Sequence, residues 1–438
     1  MRVPLGLSVL ASAILAIVVA SCAQKSELAP EAVSGTAPPL PEPDKALLPT
    51  VKVAPAVGWK PGEAPTPAQG MQVKPFATGL DHPRWLYVLP NGDVLVAETN
   101  RPPTKDDPEN PIRAAFMKQA MEKAGATVPS ANRITLLRDK DGDGVAETRS
   151  VLLSNLFSPF GMSLVGDRLY VANADAIVSV PYKAGDTQIA AAPRKLADLP
   201  GAPRNHHWTK SLLASPDGSK FYVGVGSNSN VAEHGMEIEN NRAAILEVDA
   251  KSGASRVYAS GLRNPVGLAW GPGGKLYAVV NERDELGNDL VPDYLTSVQE
   301  GAFYGWPWSY YGHNVDTRVK PENPGMVAKA IPPDYALGPH VASLGLAFSK
   351  GDKMPPQWRD GAFVGLHGSW NRDPQSGYKV VFVPFAGGKP QGEQQDVLTD
   401  FLDAQGNARG RPVGVAFGKD GALLVADDVG NVVWRVAR

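Results

Sequence analysis

Three short stretches gather side chains suited to acid–base and anion chemistry. In Asn205-His206-His207-Trp208-Thr209-Lys210 two histidines adjoin, and a loop histidine entering a strand suits a general base with a pKa near working pH. Neighbouring side chains on an extended segment point to opposite sides, so only one of the pair serves a common site; a surface or capping role is the alternative. Gly261-Leu262-Arg263-Asn264-Pro265-Val266-Gly267 sets Arg263 beside Asn264 between turn residues, as a polar clamp or a loop salt bridge. In Ala408-Arg409-Gly410-Arg411-Pro412 two arginines two residues apart share one face, and there they fork a ligand's carboxylates or form a surface pair. Acidic candidates are Glu282, Asp284, Glu285, Asp289 and Asp293. Separately, Asp139-Lys140-Asp141-Gly142-Asp143-Gly144 matches positions 1, 3, 5 and 6 of a calcium loop. Ser150 at position 12 excludes a full EF-hand and leaves a weak calcium site or a charged turn.

These clusters need a scaffold, and the glycines supply its signature. A Gly-containing turn followed by a short apolar, β-branched or aromatic run recurs around Gly92, Gly166, Gly218, Gly274, Gly361 and Gly421. Turn-plus-strand units repeated six times at intervals of tens of residues indicate a repeat architecture. With four strands per blade the economical reading is an all-β, six-bladed β-propeller with loop and short helical insertions; a β-sandwich or a pair of barrels is the alternative. The three chemical clusters each stand just before a repeat and would converge on one end of the central channel. A helix is expected over 112–123, opened by Asn110-Pro111 and ended by Gly125. Residues 283–340 are expected to form functional loops.

Composition narrows the function classes. The 438 residues carry 43 basic and 45 acidic side chains, a net charge of −2, which argues against a nucleic-acid partner. Mean hydropathy is −0.19. No Gly-x-Gly-x-x-Gly follows a strand, and Walker, zincin and Gly-x-Ser-x-Gly motifs are missing, so redox chemistry would need a cofactor other than a Rossmann-bound nucleotide. Arg2 and the apolar run Leu5–Ala20 are laid out as a secretory signal. The only cysteine, Cys22, ends Val19-Ala20-Ser21-Cys22, which resembles a bacterial lipobox. The expected organisation is a lipoprotein signal over 1–21, a Pro/Ala-rich tether over 22–70 with Cys22 acylated, and the propeller over 71–438. That implies the periplasm, with Ala23 directing the chain to an outer membrane. The lipid anchor is then the only membrane contact.

The phrases Gly-Leu-Arg-Asn-Pro (261–265), Tyr-Gly-Trp-Pro (304–307), His-Val-Ala-Ser-Leu-Gly-Leu (340–346), Gly-Ser-Trp-Asn-Arg (368–372) and Gly-Arg-Pro-Val-Gly (410–414) resemble the glucose/sorbosone dehydrogenases. These are six-bladed propellers that use pyrroloquinoline quinone (PQQ) with calcium; His-His-Trp-Thr and Gly-Ser-Asn-Ser-Asn (226–230) are similar to the L-sorbosone dehydrogenase-like branch. The resemblance implies His207 as the base taking a sugar hydroxyl proton while hydride passes to the quinone. It implies Arg263 and Asn264 beside the quinone oxygens, Arg409 and Arg411 on the cofactor carboxylates, His340 as a further cofactor contact and Asp289 on the substrate side. An aldose or sorbosone-like aldehyde would be the substrate, and a cytochrome or quinone the electron acceptor. The sequence departs from the glucose dehydrogenases at three points. Where those enzymes orient the histidine with an aspartate after its strand, this segment reads Gly226-Ser227-Asn228 with one extra residue before it, leaving its partner unassigned. Asp284-Glu285 replaces the Gly-Pro step whose carbonyls bind calcium, so calcium is expected on those carboxylates or elsewhere. Their cofactor-contacting lysine falls near His367, with Arg372 close by. A calcium-dependent lactonase and a non-catalytic binding propeller are the competing functions.

Overall fold

The computed structural model describes residues 25–44, 50–103, 111–202, 204–350 and 354–438. Within them the chain forms six antiparallel sheets of four or more strands, arranged as the blades of a propeller. Blade 1 runs over 83–153, blade 2 over 162–198 and blade 3 over 213–260. Blade 4 spans 264–339 and blade 5 spans 343–399. Blade 6 takes three strands from 412–437 and its outermost from Gln72–Ala77, so Ala77 pairs with Val433 and the two regions close the ring.

The repeated glycine phrase is the first hairpin of each blade. Gly92, Gly166, Gly218, Gly274 and Gly421 hold φ between 59° and 100° in that turn, the left-handed region that glycine enters without a Cβ clash. Gly361 differs: a Cβ there would run into Val383 and the Phe382 ring, so the sixth glycine answers to packing.

Alternation along each strand sends apolar side chains to both faces, and the faces meet in six clusters, one at each junction between neighbouring blades. Leu95, Leu136, Met162 and Leu169 join blades 1 and 2, whereas Phe363, Phe382, Val425 and Trp434 join blades 5 and 6. A seventh cluster lies on the axis. Trp85, Phe160, Trp208, Val266, Leu344 and Val413 come one from each blade or its entry and pack together as an apolar hub. Phe160 meets Trp85 at 4.7 Å and Trp208 edge-on at 5.8 Å between centroids.

Three expectations are refined. The helix over 112–123 is present as Pro111–Lys123; its proposed cap Asn110 lies outside the described residues, as do the signal segment and Cys22. The 283–340 region is only partly loop, since it supplies blade 4 with strands Pro292–Ser297 and Tyr335–Pro339. The largest correction concerns the Pro/Ala-rich stretch, whose described residues lie against the propeller instead of standing off as a stalk. Ser34–Gly35 adds a strand to blade 4 and Thr66–Pro67 one to blade 5. Val33 and Ala54 are fully buried. Trp59 donates its indole N–H to Asp427 at 2.7 Å and packs edge-on against Trp434 and Phe401. Proline-rich composition indicates extended backbone, and extended backbone is also what pairs with a sheet edge.

A chain starting at residue 71 is therefore expected to unfold at lower denaturant than one starting at residue 25. Trp59→Ala alone is expected to cost about 3 kcal/mol, from lost ring packing and the loss of one of the N–H bonds to a buried carboxylate. Equal unfolding midpoints for the two chain lengths would restore the stalk.

Candidate active site at one end of the propeller channel

Within each blade the first two strands are antiparallel, so the start of the first and the end of the second lie at the same end of the channel. Pro83 pairs with Glu98, Asn264 with Asn281, Ser343 with Leu366 and Pro412 with Asp427. The clusters carrying His207, Arg263 and Arg411 occupy one of these two recurring positions, or the loop beside it, whereas the Asp139–Asp143 turn joins the third and fourth strands of blade 1.

His207 enters blade 3 beside the end of that blade's second strand. Its Nδ1 lies 2.8 Å from the Ser227 carbonyl oxygen and 3.1 Å from Ser227 Oγ. The carbonyl can only accept, and the Ser227 hydroxyl gives its proton to the Ser229 carbonyl. Nδ1 must therefore be the donor, which leaves the Nε2 lone pair free. Ser227 is thus the orienting partner that the sequence left unassigned. Burial deep in the channel, then the positive charge of Arg263, push the His207 pKa well below its usual value, although the ring remains partly accessible. Gly226 makes this approach possible, since a Cβ would strike Asn264 Oδ1 and His207 Cβ. From behind, the loop is held by Lys210, whose buried Nζ donates to Asn205 Oδ1 and the Trp208 carbonyl. Arg242 bonds the His207 carbonyl at 3.1 Å.

Arg263 opens blade 4 and is almost wholly buried. Four of its five N–H groups are engaged: by the Asn230 carbonyl, Asn230 Oδ1, the Glu282 carbonyl and, at 2.9 Å, Asp284 Oδ2. The other Asp284 oxygen accepts from Asn371 Nδ2 at 2.8 Å. His340 completes this side. Its Nε2 donates to the Gly287 carbonyl at 2.9 Å, so Nδ1 accepts from Asn371; both ring nitrogens are satisfied by protein, and a cofactor would meet its face.

On the other side of the hub Asp428 gathers one arginine and two histidines. His367 Nε2 lies at 2.9 Å, Arg84 Nη1 at 2.5 Å and His82 Nε2 at 3.6 Å. Burial raises the Asp428 pKa, but the charges of His367, His82 and Arg84 outweigh it and hold the carboxyl well below the usual range. Arg84 also lies 6.0 Å over the Trp208 ring, next to His207. Arg411 sits 5.7 Å over Tyr378 and donates to the carbonyls of Ala54 and Ala124. Arg409 stacks on Trp59 at 5.3 Å. The structure thus brings His207, Arg263, Asn264 and His340 together, with Arg409 and Arg411 on the far side of Asp428.

Two expected assignments come out differently. Both oxygens of Asp289 are taken, by Arg372 at 2.9 Å and by Ser26 and the amides of Glu27 and Leu28; the residue fastens the N-terminal segment to the insertion and offers no free edge to a substrate. The Asp284-Glu285 step does not fit calcium as folded. The Asp284 carbonyl accepts from Arg318 and Asn230, the Glu285 carbonyl from Arg318, and the Asp284 carboxylate from Arg263 and Asn371. Among the described residues, the carboxylates that converge as a metal site could are Asp139, Asp141, Asp143 and Glu147, on the outer hairpin of blade 1. Glu147 adds to the three aspartates noted in the sequence.

A tricarboxylate quinone fits the remaining chemistry. Buried polar atoms without a partner among the described residues include Asn264 Oδ1 and Asn371 Oδ1 on one side, and Arg84 Nε, Arg409 Nε and Arg411 Nε on the other. Such atoms carry a desolvation cost; carboxylates of a ligand would accept from the three Nε–H groups, and an N–H or O–H of cofactor or substrate would satisfy the two amide oxygens.

A profile of the TrAA12-like family matches residues 130–299 and 317–438. A PQQ-dependent pyranose dehydrogenase of Coprinopsis cinerea is 25% identical over 434 aligned residues, covering 85% of this chain. The chain spans about half the length of that protein, 54%. The solved PQQ domain of pyranose dehydrogenase from the same organism superposes with a TM-score of 0.69 at 22% identity, over 88% of this chain and 100% of that one. A calcium structure of the Trichoderma reesei AA12 enzyme gives 0.68 at 18% identity, over 88% and 98%.

The assigned tautomer is open to direct measurement. Nitrogen NMR is expected to show His207 protonated at Nδ1 and neutral from pH 8 down through 6.5, with Arg263→Gln moving its midpoint upward. A wild-type midpoint at or above 6.5 would mean that the ring is not held as described.

Proposed function

The chain belongs to the TrAA12-like family, and on that premise we propose that it is a PQQ-dependent dehydrogenase that oxidises an aldose or a sorbosone-like sugar aldehyde to the lactone or acid. The observation that carries this reading is the free Nε2 of His207, fixed by Ser227 beside Arg263 and Asn264 in a channel rimmed by further arginines. Bound PQQ would supply a two-electron acceptor for the hydride leaving the sugar carbon.

The residues of the chain do the rest. His207 accepts at Nε2 the proton of the hydroxyl on the reacting carbon, the ring hemiacetal of an aldose giving the lactone or the hydrate of an aldehyde giving the acid, and its lowered pKa keeps it unprotonated and ready at neutral pH. Arg263 places positive charge beside the oxygen that becomes anionic as that proton leaves. Its four protein bonds hold it rigid, so little reorganisation accompanies the step. Arg84, Arg409 and Arg411 would hold the cofactor carboxylates, with His367 near the place of the family's lysine. Asn264 and the face of His340 would bound the ring system. The apolar hub closes the channel beneath the site and limits water reaching it. No step is assigned to calcium, because the expected donors are engaged elsewhere.

The proposal extends to location and partners. The signal-like run and the lipobox ending at Cys22 support export and acylation, placing the chain in the periplasm as a lipid-anchored protein of the outer membrane. Electrons would then pass to a cytochrome or quinone outside the cytoplasm. The near-neutral charge supports no nucleic-acid partner.

The test is reconstitution with PQQ, followed by dye reduction with aldoses, sugar aldehydes and simple alcohols. His207→Ala is expected to bind PQQ normally while kcat falls by about 10²–10⁴-fold, and Arg411→Gln to weaken PQQ binding about tenfold or more. Failure to bind PQQ at micromolar concentration would remove the reading. Full kcat in His207→Ala would move the base elsewhere.

A further inference from the structure

The loop 282–285 approaches the proposed cofactor position, and most of its oxygens face N–H donors, Glu282 Oε1 being without a partner among the described residues. Arg263 pairs with Asp284, Arg283 with both Glu282 and Asp316, and Arg318 with Asp316. Three carboxylates thus face three guanidiniums. The last of these turns back on the loop: Arg318 Nη1 lies 2.9 Å from the Asp284 carbonyl oxygen and 3.3 Å from that of Glu285. With Asn230 Nδ2 also donating to it, the Asp284 carbonyl has both lone pairs occupied. Calcium takes six to eight oxygen ligands, whereas this step presents oxygens already facing N–H donors.

Arg318 is held in place. Asp316 accepts from Arg318 Nε at 2.9 Å, Nη2 at 2.7 Å and the backbone N–H at 3.1 Å. Asp316 is itself buried and anchored by the fully buried Arg283, which also donates to the carbonyls of Pro307 and Ser309 and lies over Tyr310. The guanidinium is therefore positioned before any ligand arrives. A planar, permanently charged group donating to two carbonyls occupies the oxygens that a divalent ion would take and fixes the loop as such an ion would, with no metal to acquire.

We infer that Arg318 takes the place of the divalent cation at this loop, so that the cofactor site binds an anionic quinone without calcium. The inference rests on the PQQ reading above. Arg318 acts here as a positioning residue, through the Asp284 and Glu285 carbonyls and the Asp284–Arg263 pair behind them.

Its test uses the full chain carrying Asp139→Asn and Asp141→Asn, which removes the outer acidic loop as a calcium binder. PQQ is titrated by its absorbance in excess EGTA and in millimolar calcium, with bound metal counted. PQQ affinity is expected to be unchanged by calcium when Arg318 is present, with no calcium bound at the cofactor site. Arg318→Ala is expected to bind PQQ about tenfold more weakly in EGTA and to recover with calcium, now that the carbonyls are exposed, while Arg318→Lys keeps most of the metal-independent affinity. Calcium-dependent PQQ binding with Arg318 intact, together with one bound calcium lost on Asp284→Asn, would overturn the inference. If PQQ binds under neither condition, the proposed function fails instead. Calcium titration of the cofactor-free protein then decides: a site abolished by Asp284→Asn overturns the role of Arg318, and its absence sustains it.

Discussion

Everything at the functional end of this molecule depends on how closely six innermost strands approach one axis. The apolar hub of Trp85, Phe160, Trp208, Val266, Leu344 and Val413 draws them together, and glycines in the strands remove what would keep them apart. A Cβ at Gly267 would lie 2.7 Å from the Leu344 carbonyl oxygen, and one at Gly414 would lie 2.9 Å from that of Arg84. Gly345 stands against the Val413 backbone in the same way. Backbone meets backbone across the blade junctions, at a spacing that no larger residue allows. The polar residues one or two positions before the hub are thereby brought within reach of one small ligand. The chemistry sits where the packing is tightest, and rigid packing of this kind fixes a catalytic geometry to fractions of an ångström.

The charges follow a second rule. Isolated buried ions are costly, and truncating one member of a buried pair leaves the other uncompensated. Here the fully buried guanidinium of Arg283 is matched by Glu282 and Asp316, and Asp428 by three cationic or potentially cationic neighbours. Among the described residues Asp427, one residue earlier, has no ionic partner. It accepts four N–H bonds, from Trp59, Trp434, Arg411 and Gly430, and burial still pushes its pKa up to about 6. The two adjacent aspartates thus play different parts: one ties down the N-terminal segment, the other holds Arg84, His82 and His367 together.

The repeat was legible because five of its six marker glycines satisfy a backbone rule that no other residue meets as well, and because apolar runs follow each. The clusters carrying His207, Arg263 and Arg411 were legible for the same reason, each preceding a marker. Ser227, Asn371 and Asp428 were not singled out. They follow second strands, and small polar residues there are common in any loop; their meaning depends on the antiparallel pairing that brings them back to the same end. His82 and Arg84 did carry a signal, since Asp81-His82-Pro83-Arg84 precedes the first marker as the other clusters precede theirs. The N-terminal segment was misjudged because composition reports backbone preference but not docking. Its contacts run through main-chain atoms and a few side chains such as Ser26 and Trp59, which no pattern distinguishes from linker.

The pairing of Ala77 with Val433 governs how the protein can come into being. A ring whose seam joins an early strand to nearly the last residues of the chain cannot close while those residues are still being made. Until then the sixth blade lacks three strands and its neighbours on both sides expose apolar faces. Completion is all or none, so a chain broken off near its end is left open and sticky instead of forming a slightly smaller enzyme.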